Sequence, residues 1–199
     1  MEEQPAPKIG QEGAKTFWKF LGELIFFALL SLPIVAPIRI FIAQPFIVSG
    51  SSMFPTFKNN DYLIVDELSY RFNNPERYDV VIFRYPNDTT KFFIKRIIGL
   101  PGETVDIKGK DVTIINKENP DGFKLDQSFI NNEMNSTKHY VLTNDEYFVL
   151  GDNRNASSDS RVWGAVPKKL LIGRAYIRLY PLNKIDFKPG DYKPNSVAP

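Results

Sequence analysis

The sequence predicts a mostly β protein, a β-rich body carried on one N-terminal apolar helix. Three observations predict it. Short runs dominated by Val, Ile, Phe and Tyr, broken by turn residues, recur from Tyr62 to Tyr180. Few helical stretches compete with them there. The one long apolar stretch comes earlier, ahead of Arg39.

Taken in order, residues 1–16 are polar, contain Pro5, Pro7, Gly10 and Gly13, and read as a flexible tail. Leu24 to Ile38 is an uncharged run of 15 residues. As a helix it spans about 22 Å, short of a hydrocarbon core of about 30 Å. Counted over 17–38, with Lys19 and Glu23 near the interface, the helix reaches about 33 Å and is long enough. Trp18 and Lys19 suit the headgroup level. A transmembrane helix is therefore expected over 17–38, ended or kinked by Pro33 and Pro37. Two other readings compete with it. One is the buried helix of a soluble domain. The other is a cleaved signal peptide, which would need an unusually long, acidic leader and has no A-x-A site after the apolar run. Lys8, Lys15 and Lys19 precede the helix and Arg39 follows it, so the lysines lean toward a cytoplasmic N-terminus.

The β-rich body is expected over 39–187. Its clearest strands are 62–65, 79–83, 92–98, 104–107, 112–115, 147–150 and 172–180, with Lys108-Gly-Lys110 as a hairpin turn. The polar segment around 116–138, with its Pro120-Asp-Gly122 signal, reads as a surface insertion. Residues 188–199 carry Pro189, Pro194 and Pro199 and read as a Pro-rich tail.

Composition narrows the chemistry. The 199 residues carry 25 basic and 23 acidic side chains, too balanced for a nucleic-acid binder. Cysteine is absent, which excludes a thiol nucleophile, a thiolate metal site and disulfides. His139 is the single histidine, so no multi-histidine metal site can form, and any Ser-His-Asp triad would have to use it. A general base would come from Asp, Glu, Lys or Tyr.

Four segments carry candidate chemistry. In Ser49-Gly-Ser-Ser-Met-Phe-Pro-Thr56 the plain alternative is a polar turn. However, Pro55 stiffens it, Gly50 permits close backbone approach, and Met53 and Phe54 offer an apolar flank, which suits an exposed nucleophile. In Lys91 to Gly102, strand alternation puts Phe93, Lys95 and Ile97 on one face and Ile94, Arg96 and Ile98 on the other. A lysine in an apolar row is costly unless paired or neutral. It is either an edge-strand charge that discourages aggregation or a desolvated amine. Lowering a lysine from about 10.4 to near 7 takes about 4 kcal/mol, which desolvation can supply. A neutral lysine can take a proton from serine. Gly151 to Gly164 interleaves Asp152, Asn153 and Asp159 with Arg154 and Arg161; the arginines oppose a calcium site and suit internal ion pairs. Arg77 to Pro86 reads as a structural strand.

Together these segments resemble the bacterial type I signal peptidases, the Ser-Lys membrane proteases. Gly-x-Ser-Met-x-Pro-Thr is matched at 50–56, Arg-x-Asp-Val-Val-x-Phe at 77–83, Lys-Arg-x-Ile-Gly-x-Pro-Gly at 95–102, and Gly-Asp-Asn-Arg-x-x-Ser-x-Asp-Ser-Arg at 151–161. The likeness runs from about Phe17 to Pro181. It implies a catalytic body of coiled antiparallel sheets, with Ser52 as nucleophile, Lys95 as general base and Ser157 orienting the amine. Arg96, Asp152, Asp159 and Arg161 would form supporting ion pairs. Phe46, Val48, Met53, Phe57, Phe93 and Ile94 would line shallow pockets for small residues at −1 and −3 of a preprotein signal peptide. The substrate would bind extended against a strand edge. No metal or cofactor is implied, and the partners would be signal peptides and membrane lipid, with the body outside the cell membrane. Some members carry a serine two residues before the nucleophile as an oxyanion donor. Here that residue is Gly50, so the hole would rest on the Ser52 N–H with help from Gly50 or another donor. Two further readings remain: a Ser-Lys protease of another purpose, like the self-cleaving repressors, and a non-catalytic β domain tethered at the membrane.

Overall fold

The computed structural model describes residues 9–41, 43–130 and 135–194. Helix α1 runs Ile9–Phe41. The strands and short helices that follow are β1 (Ala43–Ile47), β2 (Tyr62–Asp66), α2 (Ser69–Phe72), β3 (Val80–Tyr85), β4 (Asp88–Gly99), β5 (Thr104–Gly109), β6 (Asp111–Ile115), β7 (Phe123–Lys124), β8 (Ser136–Val141), β9 (Glu146–Leu150), α3 (Ser160–Trp163), β10 (Val166–Pro167), β11 (Leu171–Tyr180) and β12 (Asp186–Phe187). The class is mostly β, with one apolar N-terminal helix.

Helix α1 is longer than the 17–38 expected. It opens inside the segment read as a tail and continues through Pro33 and Pro37. Each proline removes one backbone donor, which a long apolar helix tolerates when neighbouring groups take up the freed carbonyl. Thr16–Pro33 is long and apolar enough to cross a membrane, and none of it is buried in protein. Helix and body form separate compact units.

Among the described residues the body holds two antiparallel sheets. The larger runs β1-β2-β11-β3-β4-β9-β10, with β12 beside β11, and the smaller runs β7-β6-β5-β8. Strand period decides the packing. β3 is apolar at Val80, Val81, Ile82 and Phe83 because both its faces are covered. Val80 and Ile82 join Met53, Phe57, Leu63 and Val65 on one side, whereas Val81 and Phe83 join Ile97, Tyr147 and Val149 on the other. A third core lies between the sheets, where Val105, Ile107, Val112 and Ile114 meet Ile98, Phe148 and Leu150. Each such side chain contributes about 1.5–3 kcal/mol of burial.

Two segments lie differently from the sequence reading. Residues 116–138 are no mere insertion: β7 pairs with β6, β8 pairs with β5, and Leu125 is buried in the inter-sheet core. The expected C-terminal tail is packed as far as it is described. Pro189 is buried and Gly190 half-buried, the Gly190 carbonyl accepts from Arg96 Nη1 at 2.6 Å, and the Tyr192 ring sits edge-on to Tyr78 and Phe129. A buried guanidinium needs acceptors, and the prolines that suggested disorder leave those of this segment in reach.

Gly173 shows how tightly β11 sits on β2. A Cβ there would lie 2.3 Å from the Asp66 carbonyl oxygen, which is backbone and cannot swing aside. Gly173→Ala is expected to lower stability by about 1–3 kcal/mol, read as a fall in thermal midpoint in detergent.

Candidate active site

The site joins three chain segments. Residues 51–57 form a turn in which Phe54 N–H donates to Ser51 O at 3.1 Å and Phe57 N–H to Met53 O at 2.9 Å. This presents Ser52 at the surface while Met53 and Phe57 are buried in the core below. β4 supplies Lys95. The loop 151–159 supplies Asn153, whose N–H donates to Ser52 O at 3.0 Å. Gly151 lets the loop close in, because a Cβ there would stand 2.5 Å from Ser52 O and 2.2 Å from Ser157 Oγ.

Lys95 Nζ donates to Ser52 Oγ at 2.8 Å and to the Ile94 carbonyl at 2.9 Å. Lys95 is only 4% exposed. Burial pushes its ammonium down to about 8, against the opposing pull of Asp159 and Asp152. Those carboxylates are themselves answered. Arg96 grips Asp152 through Nε at 2.8 Å and Nη2 at 2.7 Å, and Arg161 grips Asp159 through Nε at 2.7 Å and Nη2 at 2.8 Å. The remaining Arg96 nitrogen, Nη1, donates to the Tyr78 and Gly190 carbonyls.

Beside Ser52 lies a cleft of about 520 Å³. Its walls are Phe46 to Ser52 and Lys91 to Lys95, and Leu63 and Ile82 contribute beneath. β1 and β4 are four places apart in the sheet, yet the Phe46 and Phe92 rings come within 5.5 Å, so the sheet curls around the cleft. β9 pairs with β4 only from Arg96 onward, which leaves one edge of the 88–95 stretch without a strand partner among the described residues.

Of the residues expected from the sequence, Ser52, Lys95, Phe46, Val48, Gly50, Phe93 and Ile94 meet at this cleft. Met53 and Phe57 do not line it; they sit in the core under its floor. Ser157 Oγ is buried beside Gly151 and Ser52 O with no hydrogen-bond partner, and Lys95 Nζ is engaged elsewhere. The Gly50 N–H donates to Asn59 Oδ1 at 2.8 Å, so it is not turned to the cleft as an oxyanion donor. His139 lies on β8, exposed, 3.6 Å from Asp106. Sequence reasoning missed Thr56, which donates to Asp152 Oδ2 at 2.5 Å, and the carbonyl-holding role of Asn153. The adjacency of Thr56 to Pro55 in the matched motif was the available signal. No cluster suited to a metal ion occurs among the described residues.

What this geometry can perform is serine-type hydrolysis with an amine, in place of an imidazole, beside the hydroxyl. Comparison with known proteins gives the family. A family model described as signal peptidase, peptidase S26, matches residues 21–180. "Signal peptidase I" of Leptolyngbya laminosa is 40% identical over 169 residues, covering 78% of each chain. "Probable signal peptidase I-2" of Synechocystis sp. is 37% identical over 190 residues, covering 90% of this chain and 81% of its own. "Signal peptidase I" of Bacillus caldolyticus is 31% identical over 170 residues, covering 78% and 89%. The chain is a serine endopeptidase and belongs to the signal peptidase, peptidase S26, family.

The lowered Lys95 titration has a stability consequence. Between about 8 and the ordinary 10.5, the unfolded chain binds a proton at this lysine that the folded chain does not, so stability rises with pH across that window. Lys95→Met removes the buried amine. Its stability relative to the native chain is expected to be greatest below pH 8 and to shrink toward pH 10.5, measured as thermal midpoints across the range.

Proposed function

We propose that the chain is a membrane-anchored endopeptidase that removes signal peptides from exported preproteins, with Ser52 as nucleophile and Lys95 as general base. The observation that carries this reading is the 2.8 Å contact of a desolvated lysine amine with a serine hydroxyl at an apolar cleft. Neutral Lys95 takes the Ser52 proton as Oγ attacks the scissile carbonyl. The ammonium then protonates the leaving amine, leaving an acyl-enzyme. Lys95 next takes a proton from water as the water oxygen attacks the ester, and then returns that proton to Ser52 Oγ as the ester bond breaks and the new C-terminus leaves. Arg96 and Arg161 hold Asp152 and Asp159 in ion pairs, and the amine is set by its contacts with Ser52 Oγ and the Ile94 carbonyl rather than by Ser157. The Ser52 N–H donates to the oxyanion.

The signal peptide lies extended between β1 and the free edge of β4, so that alternate residues face the cleft walls. Small residues at −1 and −3 meet Phe46, Val48, Phe93 and Ile94, while Met53 and Phe57 back the floor. Helix α1 crosses the cell membrane with its N-terminus in the cytoplasm and the body outside, in keeping with the lysines ahead of it.

Detergent-solubilised protein mixed with a preprotein is expected to yield mature product. Ser52→Ala and Lys95→Ala are each expected to lower turnover by at least about a thousandfold; full activity in both would overturn the reading. Where chemistry limits turnover, the rate is expected to rise with pH through about 8, as Lys95 loses its proton, and a rate flat from pH 6 to 10 would remove Lys95 as the base.

A further inference from the structure

Ser52 is bracketed by a single neighbour. Asn153 Nδ2 donates to Ser51 O at 3.1 Å, and Asn153 N–H donates to Ser52 O at 3.0 Å. These two carbonyls belong to the peptide planes on either side of Ser52, so one residue fixes both planes. Ser51 O also accepts from Phe54 N–H at 3.1 Å. A trans peptide is planar, with its C=O and N–H pointing in opposite directions. Pinning Ser51 O toward the 151–154 loop therefore turns the Ser52 N–H away from that loop, to the side of the cleft that Ser49 to Ser52 line.

The need for this is visible nearby. The Gly50 N–H is held by Asn59, and Gly50 has no side chain to donate. The Ser52 N–H thus carries more of the oxyanion's charge, and a donor serves only if it is already aimed where the charge develops. We infer that Asn153 is a positioning residue for the reaction: its side-chain amide, through Ser51 O, aims the Ser52 N–H at the oxyanion.

This rests on the proposed Ser52–Lys95 chemistry but makes a separate demand. The two bonds from Asn153 divide the labour. The main-chain bond to Ser52 O is kept by the Leu, Ala and Gln substitutions used below, which retain the N–H, so the nucleophile and its contact with Lys95 stay in place. The side-chain bond to Ser51 O is lost. The two effects are therefore separable by kinetics.

The test uses the full chain in detergent, with Asn153→Leu, which keeps the shape and removes the donor, Asn153→Ala as a second variant, and Asn153→Gln, which keeps an amide donor. The probes are a preprotein, a peptide aldehyde ending in alanine, and the corresponding peptide alcohol. The Ser52 oxygen adds to the aldehyde carbon as the carbonyl π bond opens, and the serine proton passes through Lys95 to the new hemiacetal oxygen. Nothing is oxidised, reduced or expelled, and the hemiacetal oxygen occupies the oxyanion position. The alcohol binds the same walls without forming that oxygen.

Asn153→Leu and Asn153→Ala are expected to lower kcat about thirtyfold or more. KM should stay within about threefold, and the pH midpoint should be unchanged. Aldehyde affinity should fall with kcat, alcohol affinity should hold, and Asn153→Gln should recover part of both losses. If Leu and Ala variants keep kcat within about threefold, or lose aldehyde and alcohol affinity equally, the positioning role is overturned while the proposed function stands. A native chain inert toward preproteins, or an active Ser52→Ala, overturns the proposed function and this role with it.

Discussion

The structure turns on one buried amine. A lysine at 4% exposure titrates near 8 only because desolvation outweighs two carboxylates that favour its charged form. Asp152 and Asp159 would otherwise hold the proton in place. Each is gripped through two nitrogens of an arginine, which offsets its field at Lys95. Buried ion pairs of this kind rarely add much net stability, since desolvation consumes the Coulombic gain. Their value lies in rigidity: they hold a polar loop from Gly151 to Arg161 against the Ser52 turn without returning the lysine to its ammonium form.

Strand geometry makes this possible with a single dipeptide. Successive residues of β4 face opposite ways, so Lys95 and Arg96 point to different sides of the sheet. On one side lies the cleft and Ser52. On the other the Arg96 guanidinium sits over the Phe129 ring and donates to Tyr78 O and Gly190 O. The C-terminal segment, though remote in sequence from the cleft, therefore backs the residue that neutralises Asp152. The order of the sheet matters equally, for β9 stops pairing at Arg96 and leaves the Lys95 side of β4 open.

Much of this was legible in the sequence, for identifiable reasons. The strands show because β-branched and aromatic residues repeat with period two or fill both faces, as in Val80 to Phe83. Lys95 shows because a charge stands in an apolar row, and Ser52 because its turn carries Pro55 and Gly50. What stayed hidden depends on distant partners. Met53 and Phe57 follow Ser52 closely in sequence, but the turn rotates them into the core. Gly190 and Tyr192 look like tail until Arg96 and Tyr78 are placed beside them. Asn59 reads as a loop residue until it takes the Gly50 N–H. Pro33 and Pro37 stand inside helix α1, because a proline signal that is strong in water weakens in a long apolar helix.

On the proposed reading, a preference for small residues would follow from the core rather than from attraction. An apolar pocket gains only about 1–3 kcal/mol from each added methylene, so attraction alone would favour larger side chains. Selection for small ones needs walls that do not yield. Leu63 at the cleft floor is fully buried, and Met53, Phe57 and Val65 pack beneath it at 1% exposure or less. A close-packed interior resists the shift that a bulky residue would demand. On the proposed reading, the same packing that turns Met53 and Phe57 inward from the Ser52 turn keeps the cleft shallow. The nucleophile's presentation and the substrate's size limit are then two results of one folded turn.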